Sequence, residues 1–296
     1  MAYRFSGHET FYCKHFWLKK GYDHIKKYND FKSSNSVIEL GVGKNMVASI
    51  AHWLKVYKIV NTYYEKGVQQ IDISEFGDVL LNNKDGLDPY IEDKGTTYLL
   101  HYMALKNDYS SIYNIAFKDF RKTRVSLEFT STQLFEFLCR KLRKEDLDFS
   151  EKSLKNDIKV FIRSYLVGNK KSSKTIEDDF SALLLGLDLI NPIEDTHIEG
   201  DQVYKFEYNE KNDLDILIFL FAILDSFEGQ VSISVEEIQK IVSDIFLCNR
   251  EGTEKKLQLL QQGNFIVYKQ DAGRKEIQLK SELNKWEILK KHYERA

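Results

Sequence analysis

The sequence predicts a mainly helical α+β protein: several winged helix-turn-helix-like modules with small β-hairpins, joined by helical segments. Three observations carry this. Only two of the 296 residues are proline, Pro89 and Pro192, and proline breaks the helical hydrogen-bond ladder. Apolar residues recur at helical spacing along much of the chain. Near each end, helices are followed by two short β-prone runs, the element order of a winged module.

In the first 80 residues a helix is predicted over 10–27, with Gly21 as an interruption. Asn35 and Ser36 cap a short helix over 37–40, and Gly41-Val42-Gly43 turns the chain. A longer helix follows over 44–57, where Met46, Val47, Ile50, Trp53 and Leu54 share one face. The runs 59–64 and 70–73 are β-prone.

Residues 74–116 return to helix, with a turn at Leu87-Asp88-Pro89 and an aromatic helix from Gly95 through Leu105. Residues 131–144 form an amphipathic helix whose basic C-terminal end suits the helix dipole, and 153–166 form another. The polar run 168–174 is the linker expected from composition, with a helix-turn unit over 175–190.

The last module is the clearest. An apolar helix spans 213–227, and Ser234 with Glu237 three residues on makes a capping-box pattern. A helix over 249–262 ends at Gly263-Asn264. Alternating runs 265–269 and 275–280 flank Asp271-Ala272-Gly273 as a β-hairpin. The expected organisation is a winged-helix-like module over 1–80, a helical middle over 81–170, an acidic connector over 171–212 and a second winged-helix-like module over 213–296.

Composition narrows the function classes. Hydrophobic residues at 43% and charged residues at 30% mark a folded globular chain. The most apolar run, 216–224, is about half the ~20 residues needed to span a bilayer. Its three cysteines, Cys13, Cys139 and Cys248, are too scattered for a disulfide framework or zinc ribbon. A cytoplasmic location, no membrane partner, no metal and no cofactor are the expectations. The net charge is only -2 but is segregated. Residues 1–58 hold ten Lys/Arg against four Asp/Glu, 118–174 hold fifteen against eight, and 176–216 hold two against twelve. Such segregation makes a positive face on a neutral protein, or else solvated helix faces with an acidic connector.

Helix-turn-helix modules read DNA with the leading end of their second helix. In the first module that end offers Lys44, Asn45, Ser49 and His52, with Lys55 and Lys58 for phosphates. In the last it offers Arg250, Lys255 and Lys256, with Lys269, Arg274 and Lys275 on the wing. Asn pairs with adenine in bidentate fashion, and Lys with guanine or phosphate. Winged helices also serve as protein-contact modules, so a protein-interaction adaptor is the alternative. Gly41-Val42-Gly43-Lys44 lacks the spacing of a phosphate-binding loop. His8 and Glu9, near Cys13 and His15, form a motif whose first reading is hydrogen bonding within the fold or capping of the helix from Thr10. No nucleophile or HExxH motif occurs, so no catalytic residue is assigned.

The strings Phe5-Ser6-Gly7-His8-Glu9-Thr10-Phe11, Trp17-Leu18-Lys19-Lys20-Gly21, Leu40-Gly41-Val42-Gly43-Lys44-Asn45-Met46-Val47 and Leu87-Asp88-Pro89-Tyr90-Ile91-Glu92-Asp93, with the region 157–165, resemble the bacterial family of unknown function numbered 4007. The resemblance implies a role beside genes for DNA phosphorothioation and anti-phage defence. Its expected partners are double-stranded DNA and DNA-modification or defence proteins, including a phosphoadenosine-phosphosulfate-reductase-like protein. It supplies no catalytic residues. At Tyr12-Cys13-Lys14 the chain departs from the proline and arginine expected there, and Lys14 lacks arginine's planar fork.

Overall fold

A computed structural model describes residues 3–31, 33, 35–166, 181–271 and 273–295. The protein is α+β, with helices predominating and three small antiparallel sheets among the described residues.

The N-terminal part holds α1 (Trp17–Tyr28), α2 (Asn35–Leu40), α3 (Lys44–Val56) and the hairpin β1 (Val60–Glu65) with β2 (Val68–Ile73). Helix α1 begins at Trp17, not Thr10, because Ser6, Gly7, Glu9 and Thr10 all have positive φ, which an α-helix excludes. Gly21 does not interrupt α1. It is buried there because α3 crosses so close that a Cβ would lie 2.8 Å from Ile50 and Leu54. Lys66 and Gly67, both at positive φ, make the two-residue hairpin turn whose twist matches its strands.

Next come α4 (Glu75–Leu81) and α5 (Lys94–Leu105), N-capped by Ser74 and Asp93 through side-chain oxygens that accept backbone N–H bonds. Every residue of α5 from Tyr98 to Leu105 is buried. Helix α6 (Ser111–Asn114) runs on as a π-helical turn to Phe120 and a 3₁₀ turn to Thr123. Strand β3 (Glu128–Thr130) leads into α7 (Ser131–Lys144), where Thr130 and Gln133 form a capping box, and α8 (Glu151–Tyr165) follows.

The acidic stretch carries a hairpin, β4 (Ile190–Ile198) with β5 (Asp201–Phe206), and β5 pairs with β3 to give the sheet order β3-β5-β4. Pro192 is tolerated because β4 is an edge strand. The linker expected over 168–174 lies outside the described residues. Of the helix-turn unit expected over 175–190, residues 181–189 form turns and a bridge to Lys14, and Ile190 begins β4.

The C-terminal part runs α9 (Ile216–Ser226), β6 (Ser232–Ser234), α10 (Val235–Ile238, continued by a π turn to Ser243), α11 (Arg250–Gln262), β7 (Ile266–Asp271), β8 (Arg274–Leu279) and α12 (Lys285–Tyr293), with sheet order β6-β8-β7. The Ser234–Glu237 capping box forms as expected. Asn249 caps α11 by accepting from Gly252 N at 2.8 Å. Element order and strand order thus repeat between the middle and C-terminal parts: helix, strand, helix, helix, hairpin.

One continuous hydrophobic cluster joins all parts, from Tyr12 to Leu289. Helix α5 is its axis. His101 Nε2–H donates to Ile245 O at 2.8 Å, and Nδ1 accepts from the Tyr165 hydroxyl at 2.9 Å. His292 on α12 bonds Asp93 at 2.8 Å and Asp215 at 3.2 Å.

Backbones also approach closely at the start of α11, where a Cβ on Gly252 would stand 2.3 Å from Glu210 O. Gly252→Ala is therefore expected to destabilise the protein by about 2 kcal/mol, as overpacking against fixed backbone does. A urea midpoint unchanged from wild type would contradict the close approach.

Candidate nucleic-acid interface

The leading end of α3 stands open. Gly43 is its extended N-cap, and Lys44 and Asn45 are exposed. Lys44, Ala48, Ala51 and Lys55 share the outer face, where two alanines leave room for a close ligand backbone. Ser49 and His52 are on the wrong side to read bases. Ser49 is fully buried, and its hydroxyl donates to His8 O at 3.0 Å. His52 is 8% exposed, with its ring edge-on to His8 and Trp53. Desolvation, helped by His8 and Lys55, pushes the His52 pKa down to about 3, so it is neutral at ordinary pH. Lys58, beyond the helix end, is half-buried and burial lowers its pKa.

Helix α11 is exposed at its start but electrically mixed. Arg250 pairs with Glu254 at 3.2 Å, and Lys275 reaches the same carboxylate at 2.8 Å. Lys255 pairs with Glu210 at 3.3 Å. Lys256 is buried, and its ammonium donates to Glu210 O and Lys211 O, so it fastens the backbone and faces no ligand. On the hairpin, Lys269 and Arg274 are exposed.

The most cationic helix face is one to which no contact was assigned from sequence. On α8, Lys152, Lys155, Lys159 and Arg163 are all exposed and fall within one stripe. Lys155 lies 4.7 Å over the Phe135 ring, and Arg163 lies 5.0 Å over the Tyr12 ring. A groove of about 390 Å³ follows the stripe, walled by Ser131 and Thr132 at the start of α7 and by Tyr204 on β5. The signal was available: lysines and arginine spaced three and four apart inside the positive segment 118–174.

Helices α3 and α8 are tied by the N-terminal segment. His8 Nδ1 accepts from Thr10 N at 3.1 Å, which leaves Nε2–H to donate to Asp157 on α8 at 3.1 Å. Asp157 also accepts from Ser6 N at 3.0 Å on both oxygens. Phe11 O accepts from the Trp53 indole at 3.1 Å. His8 thus bonds within the fold, as expected, but no helix begins at Thr10 for it to cap. Glu9 points to solvent. Cys13 is buried, and desolvation raises its thiol pKa well above the usual range. Among the described residues no group of three or more His, Cys, Asp or Glu could hold a metal ion. No described helix is long and apolar enough to cross a membrane.

These features belong to a helical protein with repeated helix–hairpin units. The chain is a member of the family of proteins of unknown function DUF4007, whose model matches residues 5–293. Among solved structures, the fold is similar to a magnesium ion-bound SspB crystal structure. The TM-score is 0.86 at 22% identity, over 98% of this chain and 88% of that one. A second SspB crystal structure matches with a TM-score of 0.82 at 20% identity, over the same shares of each chain. At this identity the likeness establishes the fold. No curated protein matches the sequence.

Two outcomes are expected. Asp157→Ala leaves His8 and Ser6 without their buried acceptor and should cost about 3 kcal/mol in chemical denaturation; a loss within error of zero would show that the tie is dispensable. The second concerns pH. His52 and His101, with folded pKa values of about 3 and about 4 against 6.5 unfolded, favour folding above pH 6.5. Their contribution falls as pH drops from there, each by up to about 1.4 kcal/mol per pH unit. His292 has the opposite sign: its folded pKa is raised by Asp215 and Asp93 against the desolvation that lowers it. Its contribution is full below 6.5 and disappears as pH rises through that folded pKa. Urea midpoints from acid to alkaline pH should show His292→Gln flattening only the alkaline side; a flattened acid side would refute the assignment.

Proposed function

We propose that this protein is a DNA-binding accessory or regulatory protein of a bacterial DNA-modification system of the phosphorothioation type, or of an anti-phage defence system. Its middle and C-terminal parts are read as winged helix-turn-helix modules, and α1–β2 as a shorter version. The observation that carries the DNA reading is the stripe Lys152, Lys155, Lys159 and Arg163 on α8. By element order α8 occupies the place of the recognition helix, following α7 and preceding the hairpin. Cations spaced along one helix face neutralise successive phosphates and release counterions. Lys44 and Asn45 on α3 supply a second exposed leading end.

A second reading, a protein-interaction adaptor without direct DNA contact, is favoured by one observation on α11. There the cations are already matched by Glu254 and Glu210, an arrangement suited to a mixed-charge protein partner rather than a polyanion. A phosphoadenosine-phosphosulfate-reductase-like protein is the partner class proposed for that surface.

Fluorescence polarisation with a labelled duplex of about 20 base pairs, titrated from about 50 to about 200 mM salt, tests the DNA reading. Binding should weaken steeply with salt. Lys155→Glu with Lys159→Glu should lower affinity by roughly tenfold or more and flatten the salt slope by about 2. Lys255→Glu should change little. An absent or salt-independent signal removes the DNA reading and leaves the adaptor.

A further inference from the structure

A second groove lies on the opposite side of α7 from the α8 stripe. It has a volume of about 880 Å³ and runs between α7 and the segment 120–126. Its floor is aromatic: Phe120 and Phe137 meet edge-to-face at 5.3 Å. Arg124, Arg140 and Lys144 stand along its rim, with Gln133 at one end.

The rim cations are unusual in being unmatched. Most cations near this region have acids: Lys141 pairs with Asp119 and Glu145, and Arg121 and Lys122 pair with Asp244. Among the described residues, Arg140 and Lys144 have no hydrogen-bond or ion-pair partner. Arg124 is half-buried without a carboxylate. Its Nε–H donates to Glu128 O at 2.9 Å, and its guanidinium lies 5.1 Å over the Phe120 ring. Those contacts fix its plane and leave the terminal nitrogens for a ligand. Burial alone lowers its pKa, the cost of a desolvated cation lacking an anion. A preorganised guanidinium of this kind suits a planar oxyanion bound in bidentate fashion.

We propose that this groove binds an acidic peptide segment of a protein partner, one carboxylate on Arg124, further acids on Arg140 and Lys144, and an apolar side chain on Phe120 and Phe137. A carboxylate ligand is favoured over a phosphodiester backbone because Glu136 and Glu145 also line the groove. They repel a strand with a charge at every phosphate, whereas a peptide can place neutral residues opposite them. Gln133, Phe137 and Arg140 project about 180° from Ser131 and Phe135, which wall the α8 groove, so the two surfaces can be filled independently. The inference does not rest on the DNA reading.

The test uses the full chain and a fluorescein-labelled peptide of about ten residues, Asp and Glu alternating with Ser around one central Phe, read by anisotropy. The wild type should bind it saturably. Arg124→Gln, and separately Arg140→Glu with Lys144→Glu, should each weaken it by roughly tenfold or more. A peptide with Ser in place of Phe should bind more weakly. Lys155→Glu with Lys159→Glu should leave peptide binding unchanged, and the groove variants should leave duplex binding unchanged. Urea midpoints matching wild type confirm that the groove variants fold; Arg124→Lys, which keeps the charge without the fork, supplies an intermediate loss if Arg124→Gln does not fold. The proposal is overturned if wild type fails to bind the peptide or the groove variants bind it like wild type. It is also overturned if the α8 variant weakens peptide and duplex alike, or if the groove variants lose a labelled oligothymidine and keep the peptide.

Discussion

The structure depends on the burial of α5 on all sides. A helix with no solvent face cannot be stable alone, and it orders only when its neighbours close around it. Tyr98, His101 and Tyr102 project from it into contact with Phe246, while His101 also packs on Phe117 and Tyr165. The polar atoms carried into this interior are satisfied across the parts: His101 by Tyr165 on one side and Ile245 O on the other, and Tyr102 by Asp225. These bonds are directional, and an unmet buried polar group is expensive. The middle and C-terminal parts are therefore held in one orientation around α5.

The N-terminal segment acts at a second junction. It places four left-handed residues within positions 6–10, a backbone that costs free energy at each non-glycine position. That cost is offset by what the conformation delivers: His8 inward to Asp157, its carbonyl to Ser49, and the Phe11 carbonyl to Trp53. Gly7 belongs to the same device, since a Cβ there would stand 2.6 Å from the His52 ring. The functional consequence is geometric. Helices α3 and α8, which carry exposed cations at Lys44 and at Lys152, Lys155, Lys159 and Arg163, are joined through their inner faces, so their outer faces are presented as a rigid pair.

The three units then differ in what their surfaces can do. On α8 four exposed cations share one face, with Lys155 at 4.0 Å from Glu151; on α11 the cations are matched by Glu254 and Glu210, and on α3 they are limited to Lys44 and Lys55 around two alanines. Under the proposed function, this repeated architecture with unequal charge gives one face to a polyanion and others to proteins. The groove beside α7, with its aromatic floor and unmatched arginines, adds a further face that does not overlap the stripe on α8.

Local patterns were enough for the elements that rest on local physics. The helix over 131–144, the cap at Ser234, the β1–β2 and β7–β8 hairpins and the α+β class all follow from periodicity and nearest-neighbour hydrogen bonding. Tertiary structure decided what those patterns cannot encode. Ser49 and Lys256 are polar by type, yet each turns inward because its partner comes from a distant segment: the His8 carbonyl for the first and the carbonyls of Glu210 and Lys211 for the second, while His52 is buried edge-on against the rings of His8 and Trp53. The β4–β5 hairpin was hidden in an acidic stretch because β5 gains its stability from β3, some 75 residues earlier in the chain. A residue's own chemistry fixes what bonds it can make. Only the packed fold brings the other half of each bond within reach, and that decides whether a charge faces a ligand or the interior.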